Sequence, residues 1–276
     1  MKLFTIAPFI ASTFVLSACL TDLAPTSEET DIACGAQDTL LFEGFENTQS
    51  TAAKIIDKEK NYSVADGLMQ VSYVSNERGS ERNRAHIPLS IPLQQATLSF
   101  DIFFPEDFDF VLGGKLFGFA PDNPIWGGQT KTLDGWSSRI MWREGGRPVT
   151  YNYHQNRPGK YGEDSYTVEE PTVIPHGEWI TLSLYLDIGT GQKDGLSQVW
   201  LNGKKASELR DLSFHDKSKN APITTLALQT FFGGSSSKWA PKNKDGSYRN
   251  LSVNVDNMSV TQGQCIRNRP LKPSAS

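Results

Sequence analysis

Hydrophobic and polar side chains alternate along several short segments of this chain. Residues 96–104, 179–187 and 251–260 place apolar side chains largely at every second position, with small or polar side chains between them. A period of two is typical of a β-strand, in which successive side chains point to opposite faces. Asn202-Gly203 follows another short run and is a strong hairpin signal. The pattern predicts an all-β sandwich of two antiparallel sheets with an apolar core between them.

Two further strand-like segments, 136–143 and 149–156, carry an unusual set of polar side chains. Positions two apart in a strand share a face, so each segment collects its polar side chains on one side. The predicted polar face comprises Ser137, Arg139, Met141 and Arg143 from the first segment, and Tyr151, Tyr153 and Gln155 from the second. We expect this face to lie on a concave sheet of the sandwich. Such a surface suits an anionic sugar polymer better than a packed core.

The motifs of this region resemble those of a known enzyme family. GGKL at 113–116, S-x-R at 137–139 and Y-x-Y at 151–153 are similar, in order and separation, to the active-site strip of the family 14 polysaccharide lyases. These are alginate and glucuronan lyases with a β-jelly-roll fold. The resemblance extends over roughly residues 40–260 and departs from the family at Phe117, where a proline is expected. It implies a jelly roll that cleaves a polyuronate, with alginate as the first candidate, and that needs no cofactor for catalysis.

The chemistry of polyuronate cleavage gives these side chains their expected roles. In β-elimination a base removes the proton on C5 and the oxygen on C4 leaves, so the site needs a base, an acid and a partner for the carboxylate. Arg139 can bind the carboxylate with two hydrogen bonds, and Ser137 can add a hydroxyl donor. Tyr151 and Tyr153 are the expected proton-transfer groups, because nearby cations favour a phenolate. Lys115 is either a second cation or the base, and the choice among the three groups stays open.

Five other side chains near the motifs are candidate sugar contacts. Trp126 and Trp136 can stack on sugar rings, with packing in the loop or the core as the alternative. Trp239 can line one end of the groove, and its alternative role is to anchor a loop. Arg143 and Gln155 share the predicted polar face and are expected to bind the polymer.

The N-terminal residues are typical of a secretory signal, because one lysine precedes an apolar run that is too short to span a membrane. LSAC at 16–19 matches the bacterial lipobox, which predicts lipid attachment at Cys19; the alternative is an ordinary signal peptide with a chance cysteine. We therefore expect a protein of the bacterial cell envelope, anchored through lipid at the outer membrane, or otherwise secreted. The expected organisation is a signal peptide over 1–18, a lipidated cysteine and flexible tether over 19–36, a jelly roll over 37–265 and a disordered tail over 266–276.

Two cysteines remain once Cys19 is assigned to the lipid anchor. Cys34 and Cys265 bracket the predicted domain. In an oxidising compartment such a pair predicts a disulfide. The first and last strands of a jelly roll lie close together, so a bridge between the ends is geometrically reasonable. Two free thiols are the alternative.

Both ends of the predicted domain also resemble the ends of jelly rolls that hold a structural calcium ion. The segments are LFEGFE at 41–46 and VDNMSV at 255–260. The resemblance makes Glu43, Glu46 and Asp256 candidate ligands, because calcium prefers carboxylate oxygens. Carboxylates that are only solvated at strand ends are the alternative.

Length and charge narrow the function classes. The chain has 276 residues and a formal net charge of -4, which argues against general nucleic-acid binding. An acidic protein can still bind a polyanion where its basic residues gather, as Lys115, Arg139 and Arg143 do. We expect a monomer that acts as a polyuronate lyase; the alternatives are a non-catalytic carbohydrate-binding lipoprotein and a structural lipoprotein of the envelope. The tyrosine pair together with Lys115 favours the enzyme.

Overall fold

The strands of the computed structural model lie where the alternating segments predict them. The structure describes Met1 and residues 38–168 and 172–271, and every described strand belongs to the compact unit Asp31–Ser276. Within these residues there are seventeen strands and one α-helix, α1 (Thr51–Ile56), so the all-β prediction is confirmed. The strands are β1 (Thr39–Glu43), β2 (Tyr62–Ala65), β3 (Leu68–Tyr73), β4 (Ser75–Asn76), β5 (Gly79–Ser80), β6 (Asn83–Leu93), β7 (Gln95–Phe103), β8 (Gly113–Ala120), β9 (Ser137–Arg143), β10 (Arg147–Tyr153), β11 (Glu163–Asp164), β12 (Tyr166–Thr167), β13 (Trp179–Asp187), β14 (Gly195–Leu201), β15 (Lys204–Leu212), β16 (Ile223–Phe232) and β17 (Leu251–Gln262).

In the described part of the chain, these strands form two large antiparallel sheets and one small hairpin. The nine-stranded sheet has the order β12-β15-β14-β13-β7-β17-β3-β2, and β1 pairs with a further stretch of β17. The six-stranded sheet has the order β11-β10-β9-β8-β16-β6, and β4 pairs with β5. Strands far apart in sequence, such as β7 and β17 or β8 and β16, are neighbours in these sheets. Long connections of this kind, joining two facing sheets, are those of a jelly roll.

The core forms between the two sheets from the apolar face of each strand. Leu98 and Phe100 of β7 pair with Leu184 and Leu182 of β13, and all four side chains are fully buried. The Phe100 ring packs on Phe117 of β8, with ring centroids 5.0 Å apart, and so joins the two sheets. Phe117, which stands where the family resemblance suggests a proline, is therefore a core residue.

The core tryptophan Trp142 explains why β8 begins with glycine. Its indole lies against Gly114, where an added Cβ would be 2.0 Å from a ring carbon. The indole Nε1 donates to the Phe110 carbonyl at 3.1 Å, and the ring meets those of Tyr73 and Phe232 edge-on. Only a residue without a side chain leaves room for this ring. Gly114 therefore allows β8 to approach β9 closely.

The outer face of the nine-stranded sheet is polar, as its alternation predicts, but it is also buried. Asp101 of β7 is fully buried and accepts hydrogen bonds from Thr181 at 2.6 Å, Arg267 at 2.9 Å and the Leu271 amide at 2.9 Å. A buried charge needs such partners. Two of these partners, Arg267 and Leu271, come from the chain after β17, so both residues lie against this face of the sheet.

A β-bulge in β8 orients the side chains of the six-stranded sheet. Lys115 pairs with Met141 of β9, whereas Gly118 pairs with Arg139, so β8 has one more residue than β9 over this stretch. Leu116, inside the bulge, is fully buried in the core. A bulge bends a strand and redirects its side chains. The bulge turns both Leu116 and Phe117 into the core, whereas Lys115, opposite Met141, lies on the same outer face as Arg139.

Several predictions concern residues beyond the described part of the chain. The predicted signal peptide over 1–18, the lipidated Cys19, the tether and Cys34 lie outside the described residues, apart from Met1. The pairing of Cys34 with Cys265 therefore stays a prediction. Among the residues that the structure describes, no helix has both the length and the apolar character to cross a membrane.

The close approach of β8 to β9 can be tested by adding one methyl group. A Cβ at Gly118 would lie 2.0 Å from the Ser138 carbonyl oxygen and 2.6 Å from the Arg139 Cβ. Backbone atoms cannot rotate away, so Gly118→Ala should reduce the free energy of unfolding by roughly 1–3 kcal/mol, the usual range for overpacking. Thermal and urea unfolding measure this loss. Gly159→Ala is the control, because nothing lies within 4 Å of its Cβ position; equal stability of the two variants would contradict the close approach.

Candidate active site

A cleft of about 520 Å³ opens on the outer face of the six-stranded sheet. It contains seven of the ten side chains predicted to act on or bind a sugar polymer. These seven are Lys115, Arg139, Tyr151, Tyr153, Arg143, Trp126 and Trp239. Further side chains in its lining are Arg82, Arg84, Met141, Tyr161, Gln229, Phe231 and Ser235. The cleft is thus rich in cations and aromatic rings.

Lys115 projects from the bulged part of β8 into the cleft. Its ammonium nitrogen lies 4.8 Å from the centre of the Phe231 ring and 5.5 Å from the centre of the Tyr151 ring. Burial, followed by the positive charges of Arg139, Arg82 and Arg143, lowers the pKa of Lys115 to about 7. Both effects disfavour the ammonium form. Near neutral pH a large fraction of Lys115 is therefore an unprotonated amine.

The guanidinium of Arg139, a residue of β9, forms its hydrogen bonds with neutral groups. One terminal nitrogen donates to the Gln229 side-chain oxygen at 3.0 Å, and the other donates to the Ser137 hydroxyl at 3.2 Å. The Trp126 ring lies against the guanidinium, 5.5 Å from ring centre to Cζ. Within the described residues, no carboxylate forms an ion pair with Arg139, although its side chain is only 4 % exposed. Burial lowers the pKa of Arg139 to about 10, which leaves it charged at neutral pH.

Ser137 supports Arg139 instead of facing the cleft. Its hydroxyl donates to the Ile125 carbonyl at 2.7 Å and accepts a hydrogen bond from Arg139. The residue is 1 % exposed. Its only hydroxyl proton is therefore used inside the protein, and in this arrangement it differs from the substrate donor that the sequence suggests.

The tyrosine pair lies beside Arg139 and Ser137, as the strand register requires. Tyr151 is opposite Arg139 and Tyr153 is opposite Ser137, and the two rings meet edge-on with centroids 5.6 Å apart. The Tyr151 oxygen accepts from the Gly162 amide at 3.0 Å, and the Tyr153 oxygen accepts from the Gly128 amide at 3.1 Å. The Tyr151 hydroxyl also forms a hydrogen bond with the Tyr153 side chain, which raises the pKa of Tyr151.

The electrostatics of Tyr151 differ from the sequence-based expectation of a stabilised phenolate. Burial is the largest effect on the pKa of Tyr151 and raises it, and the neighbouring Tyr153 raises it further. Arg143 lowers this pKa by less. Desolvation penalises the charged form more than the cation 5.5 Å away stabilises it. Arg143 is itself neutralised by Asp164, to which its Nε donates at 2.8 Å. Tyr151 therefore retains its proton at neutral pH.

Two of the remaining candidates lie away from the cleft. Trp136 is fully buried in the core, and its Nε1 donates to the Ala221 carbonyl at 2.8 Å, so the packing alternative describes it. The Gln155 amide donates to the carbonyls of Thr132 at 2.7 Å and Gly135 at 3.0 Å and thereby fastens a loop. Gln155 follows the last residue of β10, where the strand ends and the alternation no longer applies. Neither side chain lines the cleft.

The predicted calcium ligands are not gathered into a site. Across residues 38–168 and 172–271, no group of three or more His, Cys, Asp or Glu side chains is arranged to hold a metal ion. The Glu43 carboxylate accepts from the Phe45 amide at 2.9 Å and from the hydroxyl of Ser50, which caps α1. Burial raises the pKa of Asp256 to about 6, and the negative charges of Glu46 and Asp101 add to this. The structure thus gives no support to this prediction.

Several residues that line the cleft are not among those predicted from the sequence. Gln229 and Phe231 alternate along β16, while Arg82 and Arg84, just before and within β6, continue the pattern toward His86. The alternation was a usable signal for a shared strand face. No local signal shows that β16 pairs with β8 and that β6 pairs with β16.

Comparisons with known proteins agree with this arrangement. The family model "Polysaccharide lyase 14" matches residues 62–251. A curated protein named Exolysin, from Paramecium bursaria Chlorella virus 1, is 30% identical over 167 residues, which cover 50% of this chain and 25% of that protein. This chain therefore corresponds to about a quarter of the length of that relative.

Solved structures show the same fold. Alginate lyase Aly36B superposes with a TM-score of 0.65 at 23% identity, covering 82% of this chain and 97% of that one. The PL-14 alginate lyase from Aplysia kurodai gives a TM-score of 0.62 at 17% identity, with 81% and 99% covered. Alginate lyase vAL-1 from Chlorella virus gives a TM-score of 0.59 at 24% identity, covering 74% of this chain and 89% of that one. These likenesses establish the jelly-roll fold, and the match to the family model over most of the domain shows that the chain belongs to the polysaccharide lyase 14 family.

Proposed function

We propose that this protein is an alginate lyase that cleaves its polyuronate substrate by β-elimination, without a cofactor. One observation carries the proposal: a buried arginine with no carboxylate partner among the described residues lies beside a lysine whose pKa is about 7 and two tyrosine hydroxyls. This set supplies the charge partner, the base and the acid that elimination requires. The family and the alginate lyases of the same fold support alginate as the substrate.

The first step in this mechanism is binding of the uronate carboxylate by Arg139. Gln229 and Ser137 hold the guanidinium, and its remaining N–H groups are available for the carboxylate oxygens. Neutralising the carboxylate makes the adjacent C5 proton more acidic, because negative charge that develops during its removal spreads onto the carboxyl group. The low exposure of Arg139 strengthens this interaction, since water does not screen it.

Proton transfer then divides between Lys115 and Tyr151. The neutral amine of Lys115 takes the C5 proton, the C5 electron pair forms the C4–C5 double bond, and the C4–O bond breaks. Tyr151 gives its proton to the leaving oxygen, which becomes the new hydroxyl end of the shortened polymer. The pKa of Lys115 is about 7 and that of Tyr151 is raised, so each group begins in the required protonation state. These protonation states favour Lys115 as the base among the three groups that the sequence leaves open.

Replacing Lys115 by arginine tests whether it is the base. Arginine keeps the positive charge but does not deprotonate, so Lys115→Arg should lose at least about a hundredfold in kcat, the scale of a general base. In the wild type, kcat/KM should rise with pH up to about 7 and then level off, because the amine loses its proton there. Ultraviolet absorbance of the unsaturated uronate product measures the rate.

Lys204→Arg is the matched control, since Lys204 is exposed on β15, in the other sheet. If Lys115→Arg cleaves alginate at the wild-type rate, Lys115 acts only as a cation. If the wild type binds alginate but yields no unsaturated product, the lyase proposal fails and a non-catalytic carbohydrate-binding role replaces it.

The tyrosine pair can be tested by removing hydroxyls and keeping rings. Tyr151→Phe should lose roughly a hundredfold in kcat with little change in KM, because it deletes the acid and preserves the surface that contacts sugar. Tyr153→Phe should have the smaller effect. Tyr166→Phe is the control, since that side chain is 67% exposed on β12. Wild-type rates for both cleft variants would make these tyrosines packing or stacking residues.

The same proposal places the enzyme, as a monomer, in the bacterial cell envelope. Its parts are a signal peptide over 1–18, a lipidated Cys19 followed by a tether to residue 36, the lyase domain over 37–265 and a tail over 266–276. The LSAC pattern at 16–19 supports the lipid anchor. Cys34 would form a disulfide with Cys265, and the bonded state of the Cys265 sulfur supports this pairing.

Removal of the lipid attachment site tests the proposed location. Cys19→Ser cannot form a lipid thioether, so it should move the protein from the membrane fraction to the soluble fraction of a bacterial host. Immunoblots of fractionated cells measure this distribution. Ser17→Ala, two residues away, controls for general changes in the segment; membrane retention of Cys19→Ser would contradict the anchor.

A further inference from the structure

A chain of two hydrogen bonds links Arg139 to a histidine that the proposed mechanism does not use. Arg139 donates to the side-chain oxygen of Gln229 at 3.0 Å, and the Gln229 amide nitrogen lies 2.7 Å from Nε2 of His86. Gln229 is only 3% exposed, whereas His86 is exposed on β6, where it lines a smaller pocket that shares Trp126 with the cleft. Three strands, β9, β16 and β6, thus contribute one member each, and β8 lies between β9 and β16 in the sheet.

The roles of donor and acceptor along this chain follow from the arginine. A guanidinium can only donate, so Gln229 must present its oxygen to Arg139 and its amide nitrogen to His86. The amide nitrogen can only donate, so Nε2 of His86 must accept. An imidazole accepts at Nε2 only when it is neutral and carries its proton on Nδ1. The arrangement therefore requires neutral His86.

The surroundings of His86 favour this neutral form. Trp126 contacts both end members of this hydrogen-bond chain. Its ring lies 5.5 Å from the His86 ring and 5.5 Å from the Arg139 guanidinium carbon. The charged groups that act on His86 are Arg139 from β9, Arg84 from its own strand and Glu59 from the turn before β2. Burial and the two arginines outweigh Glu59 and lower the pKa of His86 below its ordinary value.

We propose that Gln229 and neutral His86 are positioning residues that hold the Arg139 guanidinium in the orientation needed to bind the substrate carboxylate. The inference rests on the proposed function, because it concerns the same site. A two-bond contact to a carboxylate depends on the direction of the guanidinium plane, and a tether at one nitrogen fixes that direction. When His86 is protonated, its Nε2–H faces the Gln229 amide hydrogens. Gln229 then turns its oxygen toward His86 and presents donors to Arg139, which releases the guanidinium.

The pH dependence that follows has a definite direction. His86 is neutral above its pKa, so the chain of hydrogen bonds is intact at neutral pH and opens as the pH falls through that lowered value. Protonation of Lys115 already reduces the rate below about pH 7. The acid limb is the part of the pH profile in which kcat/KM falls as the pH falls. It is steeper when two groups become protonated than when only one does. The wild-type acid limb should therefore be steeper than that of a variant in which residue 86 cannot titrate.

Four variants separate this role from direct contact with the substrate. His86→Ala and Gln229→Met remove one link each and should lower kcat/KM on the order of tenfold to a hundredfold, the range for one hydrogen bond to a charged group. His86→Gln offers a side-chain oxygen near the Nε2 position and should retain most activity, with an acid limb set by Lys115 alone. The double variant His86→Ala/Gln229→Met should be no worse than Gln229→Met, because His86 acts only through Gln229.

The control and the readouts keep the test decisive. His176→Gln removes an exposed imidazole that stacks on Phe110, outside the cleft lining, and should change neither rate nor pH profile. Thermal melts show whether each variant is folded, and His86, being exposed, can be replaced without disturbing the core. Soluble polyuronate oligosaccharides serve as the substrate at every pH.

The inference is overturned if His86→Ala keeps the wild-type kcat/KM. It is also overturned if His86→Ala lowers kcat/KM by the same factor in the wild type and in the Gln229→Met variant. An unchanged acid limb in His86→Gln would also overturn it. Failure of the proposed function looks different, because the wild type would then yield no unsaturated product. Calorimetric binding of a polyuronate oligosaccharide would still report on the chain of hydrogen bonds, through weaker binding by His86→Ala but not by His86→Gln.

Discussion

Buried positive charge without a negative partner is the constraint on which the arrangement of the cleft depends. Arg139 is almost fully buried, and its described partners are an amide oxygen, a hydroxyl and an indole face rather than a carboxylate. Removing a charge from water is costly unless hydrogen bonds replace the lost hydration. Gln229, Ser137 and Trp126 reduce that cost while leaving the charge uncompensated. Under the proposed function, an anionic substrate that enters the cleft would supply the missing negative charge, and the energetic cost in the free protein would become binding energy in the complex.

Burial and nearby charge together determine the protonation states of the neighbouring side chains. Burial, followed by the positive charges of Arg139, Arg82 and Arg143, lowers the pKa of Lys115 to about 7. Burial raises the pKa of Tyr151 by more than Arg143 lowers it, so the phenol keeps its proton. One cationic cleft thus prepares a neutral amine and a neutral phenol side by side. An amine that accepts a proton and a phenol that donates one are the pair that elimination requires.

The nine-stranded sheet contains a buried charge with a different set of partners. Asp101 is as deeply buried as Arg139, but it receives hydrogen bonds from Thr181, Asn257, Arg267 and the Leu271 amide. Arg267 gives this carboxylate a direct counter-charge. Among the described residues, the buried charge on one sheet thus has a counter-charge, whereas the buried charge in the cleft has hydrogen bonds but no counter-charge.

Sequence alone determined the elements, the shared faces and the chemistry of the motifs, because each of these is local. A period of two places Arg139 with Arg143 and Tyr151 with Tyr153 whatever the rest of the chain does. Only the tertiary structure decided which strands are neighbours, and hence that Gln229 and His86 reach Arg139 across β16 and β6. It also decided that Ser137, Trp136 and Gln155 serve the protein interior or a loop, because burial depends on what covers a face. The protonation states of Lys115 and Tyr151 follow from the same cause: they depend on the depth of the cleft and on charges from other strands, which no single segment encodes.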